Sequence, residues 1–148
     1  MYLERKQELS VYYWLTDLFT GTGVSIVDSY YDGDLEIPRV AIVGGDIGST
    51  LLELGGQERY DRVWWLEIFG STKQQRDEIG YKIFGEIREE GHIAVYDYDE
   101  GFPPTVSPSS LGYMDIVKHQ YRPKHFDSEL QDLLDWRASV AIHSRYIA

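Results

Sequence analysis

The sequence predicts an α+β fold, in which a mostly antiparallel sheet carries an N-terminal helix and one central helix packed on it. Three observations point to this class. Between Tyr60 and Asp97, an aromatic strand, a capped helix and a second strand follow one another with hardly any connecting residues. Several short strands separated by tight breaks precede that unit, which is typical of antiparallel pairing. Two long strand patterns follow it.

The first element is a helix from Leu3 to Thr20. Its apolar residues recur at the i, i+3, i+4 and i+7 spacing of one helical face, at Val11, Trp14, Leu15 and Leu18. Further aromatic side chains widen the apolar surface beyond that face. We therefore expect either a deeply buried helix or one that also contacts a neighbouring subunit, with these contact candidates: Tyr12, Tyr13 and Phe19.

Short strands lead from this helix to the central unit. Residues 24–27 predict a strand, and 28–34 predict an acidic turn. Residues 39–43 predict a second strand that the glycine pair Gly44-Gly45 ends, and 49–54 predict a weaker third strand.

The central strand, from Arg62 to Phe69, is rich in aromatic and branched residues. Alternation gives one face with Trp64, Leu66 and Ile68 and an opposite face with Val63, Trp65, Glu67 and Phe69. Because both faces are apolar, we expect an interior strand covered on both sides. A lone buried carboxylate is costly, so Glu67 should be paired, or should face a rim or a subunit contact. A partner from another subunit is the first explanation to test.

The central helix follows directly. Gly70 ends the strand, and Ser71 with Gln74 three residues later forms a capping box pattern. The apolar stripe of the helix consists of Ile79, Ile83 and Ile87, and Gly91 is placed to end it with a positive φ angle. Gly80 and Gly85 each cost a helix up to about 1 kcal/mol relative to alanine, which suggests close packing at these positions.

The last third of the chain alternates strands and loops. Residues 93–96 predict a short strand, and Asp97 to Ser110 is an irregular, proline-containing segment. Residues 111–121 and 136–146 predict long strands, and 128–134 predict a helical turn or a loop between them.

Composition narrows the class of protein. At 148 residues the chain predicts a single domain, 1–148. It has no cysteine, so neither a disulfide nor a thiolate metal site is expected. No apolar signal region or membrane span is recognisable, which predicts a soluble protein of the cytoplasm. The net charge of −11 argues against a protein whose main task is to bind nucleic acid. The acidity is also explained if it serves only solubility.

Patterns typical of enzymes are weak. The glycine-rich stretch at 44–48 lacks the spacing of a dinucleotide or P-loop motif. Asp28, Asp32 and Asp34 do not match the EF-hand frame, and the solvated turn is favoured over a looser calcium site with Glu36. The four histidines are scattered, although His119 and His143 could meet across the sheet. We therefore expect no catalytic residue, no cofactor and no metal.

The loop that begins at Asp97 is the most distinctive candidate surface. It is long and mixes carboxylates with aromatic side chains, which suggests a contact or channel-lining loop as an alternative to a solvated strand end. Together with Glu67 and the three aromatic residues of the N-terminal helix, it completes the set of candidate subunit or tube contacts: Asp97, Tyr98, Asp99, Glu100 and Phe102.

The order of elements from Tyr60 to Tyr146 resembles the tail-terminator and tail-completion proteins of tailed bacteriophages. The strand-then-helix unit corresponds to 63–69 followed by 71–90, and the last strands to 111–121 and 136–146. The segment before Tyr60 fits less clearly. The resemblance implies a non-enzymatic virion protein, made in the host cytoplasm, that forms a hexameric ring in the neck. Such a ring caps the tail tube and joins it to the head connector proteins.

In such a ring, DNA passes through without specific binding, and an acidic protein suits that passage because like charges limit adhesion to phosphates. Two alternatives remain open from the sequence. One is another phage neck or baseplate adaptor, and the other is a small acidic enzyme that uses carboxylates and a divalent ion.

Overall fold

A computed structural model of the chain describes residues 1–28, 37–51, 56–127, 129 and 135–147. The fold is α+β, as predicted. In chain order its elements are α1 (Leu3–Leu18), β1 (Ser25–Val27), β2 (Arg39–Leu51), β3 (Glu58–Gly70), α2 (Lys73–Glu90), β4 (His92–Tyr96), β5 (Ser110–Pro123) and β6 (Trp136–Ile147). The predicted acidic turn lies outside the described residues except for Asp28, as do the end of the predicted third strand and most of 128–134.

The six strands form one sheet in the order β1-β2-β3-β6-β5-β4. Every pairing is antiparallel except that of β1 with β2, which is parallel. β3 lies between β2 and β6 and pairs along almost its whole length with both. The prediction of an interior central strand is thereby confirmed.

The described helices both pack on one face of this sheet. Val11 and Leu15 of α1 and Ile83 of α2 are fully buried in the same core as Trp64 and Leu66 of β3. The expectation that β3 is covered on both sides is wrong for the described chain. We call the opposite face the open face, because no described helix packs on it. It carries half-buried Val63 and Trp65. Arginine side chains stack on the aromatic rings of this face.

The sequence suggested that Gly44 and Gly45 end a strand, and the structure shows that they do not. β2 continues through them to Leu51, with an irregular register between Gly44 and Ile47. A Cβ atom at Gly45 would lie 3.0 Å from the Val63 carbonyl oxygen and 3.2 Å from the Trp65 Nε1 atom. The glycine therefore permits a bulge that lies closely against β3, and such bulges bend a strand without ending it.

The caps of α2 differ from the prediction by one residue. Thr72, not Ser71, is the N-cap, and its hydroxyl accepts a hydrogen bond from the Gln75 N–H at 3.1 Å. The Gln75 side-chain oxygen accepts in return from the Ser71 N–H at 2.8 Å. The arrangement is a variant of the capping box, because the Gln75 side chain returns to the residue before the N-cap and not to the N–H of Thr72 itself. Gly91 ends the helix with a φ of 72°, as predicted.

α1 protects the edge of the sheet formed by β4. The Ser10 hydroxyl accepts a hydrogen bond from the Tyr96 N–H at 3.0 Å and donates one to the Lys6 carbonyl at 2.7 Å. An edge strand whose N–H groups find partners is less prone to pair with another chain. This placement brings the first two turns of α1 beside the loop that begins at Asp97.

Candidate functional site

The structure brings together two segments that the sequence analysis selected separately. Aromatic rings of α1, of Tyr96 at the end of β4 and of the loop after it form a chain of edge contacts that we call the helix–loop cluster. Tyr12 meets Phe102 at 5.6 Å between ring centroids, Phe102 meets Tyr98 at 5.2 Å, and Tyr13 meets Tyr96 at 6.1 Å. Edge-to-face pairs at these distances stabilise beyond their buried area. The cluster therefore fixes the loop against the helix.

Ion pairs hold the same loop at its acidic end. The Lys6 ammonium lies 3.0 Å from Asp97 Oδ1 and 3.1 Å from Asp99 Oδ2. A hydrogen bond from the N-terminal amino group, followed by that from Lys6, lowers the pKa of Asp99. Glu100 beside them is exposed. The loop thus presents carboxylates whose position is set by α1.

A shallow depression of about 460 Å³ lies between the cluster and the proline-containing part of the loop. Tyr13, which is 46% exposed, and Tyr96 form one wall, and Pro104 and Val106 belong to the other. Tyr98 is buried beneath, and burial raises the pKa of its phenol to about 12. The depression combines an exposed aromatic side chain with apolar loop residues, a combination typical of a contact surface.

Replacing Lys6 by glutamine should loosen this loop without unfolding the protein. The ion pairs to Asp97 and Asp99 would be lost, and NMR order parameters of the 97–101 amides should fall. In the wild type the same loosening is expected in acid. Since the folded-state pKa of Asp99 is lowered, its contacts stabilise above the ordinary carboxyl pKa of 3.8 and are lost as the pH falls through the lowered value.

Lys73→Gln, at an exposed lysine of α2, is the matched control and should leave the loop unchanged. Equal order parameters in wild type and Lys6→Gln would show that the aromatic contacts alone fix the loop.

Two of the predicted contact residues lie elsewhere. Phe19 is 4% exposed at the end of α1, where the Lys82 ammonium lies 5.4 Å from its ring centroid. Glu67 lies on the open face and has its partners within the chain. A partner from another subunit is therefore not needed to explain its carboxylate. Its carboxylate accepts hydrogen bonds from Lys124 at 3.1 Å and from Ser139 at 2.8 Å.

The open face holds a second surface that the sequence analysis missed. The Arg39 and Arg137 guanidinium groups lie 4.3 Å and 5.2 Å from the centroid of the same Phe69 ring, and Arg122 lies 5.5 Å from that of Trp65. The Lys124–Glu67 pair lies beside them. We call this surface, defined by three arginines and their two rings, the arginine patch. The strand registers place Phe69 opposite both Arg39 and Arg137, which explains why both arginines stack on the same ring.

The two histidines that could have met across the sheet do not face each other. His119 and His143 occupy adjacent register positions of β5 and β6 but lie on opposite faces, because His119 pairs with Ile142 and packs on Phe84 of α2. Burial lowers the pKa of His119. No group of three histidine or carboxylate side chains suited to a metal ion occurs in the described part of the chain.

Comparison with known proteins leaves the family open. No family model matches the chain, and no curated protein matches it. Among solved structures, it is similar to a chain from the virion of a native gene transfer agent particle, with 12% identity and a TM-score of 0.47 over 96% of this chain and 90% of that chain. Neither helix in the described ranges is both long and apolar enough to cross a membrane.

Proposed function

We propose that the protein is a non-enzymatic structural component of a tailed-phage virion, which forms a hexameric ring that caps the tail tube and joins it to the head connector. The observation that carries this proposal is the one-sided sheet. Both described helices pack on one face, while the open face presents a half-buried tryptophan among arginines. Aromatic and arginine side chains are the residues enriched at protein interfaces, so a partner subunit is the natural cover for this face.

Three further features support the proposal. The order of elements after Tyr60 resembles that of the tail-terminator and tail-completion proteins. The helix–loop cluster offers a second surface, formed by residues distant in sequence and held rigid by ion pairs, which suits a contact with the tail tube or the connector. The net charge of −11 suits a ring through which DNA passes without adhesion.

Native mass spectrometry and negative-stain electron microscopy test the ring. We expect hexameric rings of the purified chain, or rings that form when the chain is mixed with tail tubes. A chain that stays monomeric at high concentration and also fails to bind tail tubes would contradict the proposal.

A further inference from the structure

The depression beside Tyr13 is lined by phenol groups that have no partners in the described chain. Tyr13, Tyr96 and Tyr98 all contribute to its lining. Among the described residues, none of the three hydroxyls takes part in a hydrogen bond. Tyr98 is the most informative of them, because it is only 2% exposed. A buried polar group without a hydrogen bond is costly, so this hydroxyl is free to bind a group that enters the depression.

The Tyr98 hydroxyl is a hydrogen-bond donor at neutral pH. Burial, followed by the nearby phenols of Tyr13 and Tyr96, raises its pKa to about 12. Edge contacts fix the ring that carries it, at 5.2 Å from the Phe102 centroid and 6.2 Å from that of Tyr96. The donor is therefore in place before a partner binds, which lowers the entropy that binding costs.

A carboxylate without a cation lies next to these phenols. A second hollow of about 360 Å³ shares Tyr98 and the segment 104–108 with the depression, and Glu100 belongs to its lining. The two aspartates of this hollow already pair with Lys6 and the N-terminal amino group. Glu100 is exposed and forms no ion pair within the described chain. The loop can therefore bind one cationic group of a partner.

The partner must also present hydrogen-bond acceptors to the phenols. The carbonyl groups of an α-helix are engaged within the helix, and an extended strand brings unpaired N–H groups along with its carbonyls. A proline-rich segment in the polyproline II conformation has free carbonyl oxygens and few N–H groups. Such segments bind in grooves lined by aromatic side chains. Here Tyr13 and Tyr96 lie across the depression from Pro104 and Val106.

We infer that the depression binds a proline-rich segment of a partner protein that carries an arginine. The Tyr98 hydroxyl donates to a backbone carbonyl of the segment, and Glu100 pairs with its guanidinium. Arginine suits the site because its guanidinium both stacks on aromatic faces and binds carboxylates. The net charge of −11 favours a cationic segment at long range. This assignment rests on the proposed function, since it names the kind of segment that the tail tube or the connector would present.

Titration of the whole chain with synthetic peptides tests the inference. The probes are proline-rich heptapeptides that carry an arginine at the first, the middle or the last position, with binding followed by fluorescence anisotropy of a labelled peptide. We expect saturable binding of at least one of them. Replacing its arginine by glutamate, or its prolines by glycine and serine, should weaken binding on the order of tenfold.

Two substitutions in the protein separate the two contacts. Tyr98→Phe should weaken binding of the same peptide about threefold to tenfold, because it removes one hydrogen bond. It should not lower the free energy of unfolding, since the hydroxyl has no partner in the described chain. Glu100→Gln should weaken binding about twofold to fivefold. Tyr81→Phe and Glu89→Gln, at exposed positions of α2, are the matched controls and should leave binding unchanged.

The absence of saturable binding by all of the arginine peptides would overturn the inference, and so would binding that Tyr98→Phe and Glu100→Gln leave unchanged. A loss of stability in Tyr98→Phe would show that its hydroxyl already has a partner and would also overturn it. Native mass spectrometry of the same chain tests the ring separately. Rings without peptide binding would leave the proposed function intact, whereas peptide binding by a chain that never assembles, even with tail tubes, would contradict that function and keep the peptide site.

Discussion

Replacing Arg62 by methionine should lower the free energy of unfolding by about 3 kcal/mol, because it leaves buried polar groups without partners. Arg62 is 3% exposed at the inner face of β3 and stacks on Trp64, with 4.0 Å between the guanidinium carbon and the ring centroid. It donates hydrogen bonds to the Glu4 carbonyl at 2.8 Å and to the buried Gln7 side chain at 3.2 Å. It also pairs with Glu8 at 2.8 Å. Methionine would fill the space of the stem but provide no donor.

The measurement is urea denaturation followed by tryptophan fluorescence and by circular dichroism. Arg59→Met is the matched control on the same strand, since Arg59 pairs only with Asp61 among the ion pairs described, at the surface. It should change stability by less than about 1 kcal/mol. Equal effects of the two substitutions would show that Arg62 does not link α1 to the sheet in the way described.

Replacing Gly80 by alanine should destabilise the protein by about 1 to 2 kcal/mol, although alanine is the better helix former. A Cβ atom at Gly80 would lie 2.6 Å from Cε1 of the Tyr121 ring. That ring is held in place, since its hydroxyl donates a hydrogen bond to Asp77 at 2.6 Å. Burial and then this hydrogen bond raise the pKa of Tyr121. The ring must move to accept the methyl group, and the hydrogen bond would be strained or lost.

Gly85→Ala, on the same helix, is the control, and its effect on the free energy of unfolding is expected to have the opposite sign. A Cβ atom there meets nothing within 4 Å in the described structure. The substitution should therefore stabilise the protein by about 0.5 to 1 kcal/mol through helix propensity alone. Thermal or urea denaturation of both variants gives the comparison, and a stabilising Gly80→Ala would contradict the close contact between α2 and Tyr121.

The main elements of the fold could be predicted because local patterns specify them. The aromatic and branched residues of β3 indicate a strand, and the isoleucine spacing in α2 indicates a helix with one buried face. The suggestion that Gly80 allows close packing is confirmed, whereas Gly85 has no such neighbour. The role of Gly45 could not be predicted, because a glycine that ends a strand and one that permits a bulge look alike until the partner strand is known.

The sites could be predicted only in part, because they join residues that are distant in sequence. Local composition was enough to single out Tyr12 and Phe102, but their contact depends on α1 lying along β4. The arginine patch had no local signal. Arg39, Arg122 and Arg137 become neighbours only through the registers of β2, β3, β5 and β6, which cannot be read from any one strand. Glu67 looked unexplained for the same reason, since Lys124 and Ser139 approach it from distant parts of the chain.

The most direct test of the virion assignment is to locate the protein in intact particles. Particles from cells that encode this chain would be labelled with an antibody against it and imaged by electron microscopy. We expect a single site of labelling at the junction of tail and head, and tails of uncontrolled length or without heads when the gene is deleted. Labelling at the baseplate, or intact infectious particles that lack the protein, would contradict it.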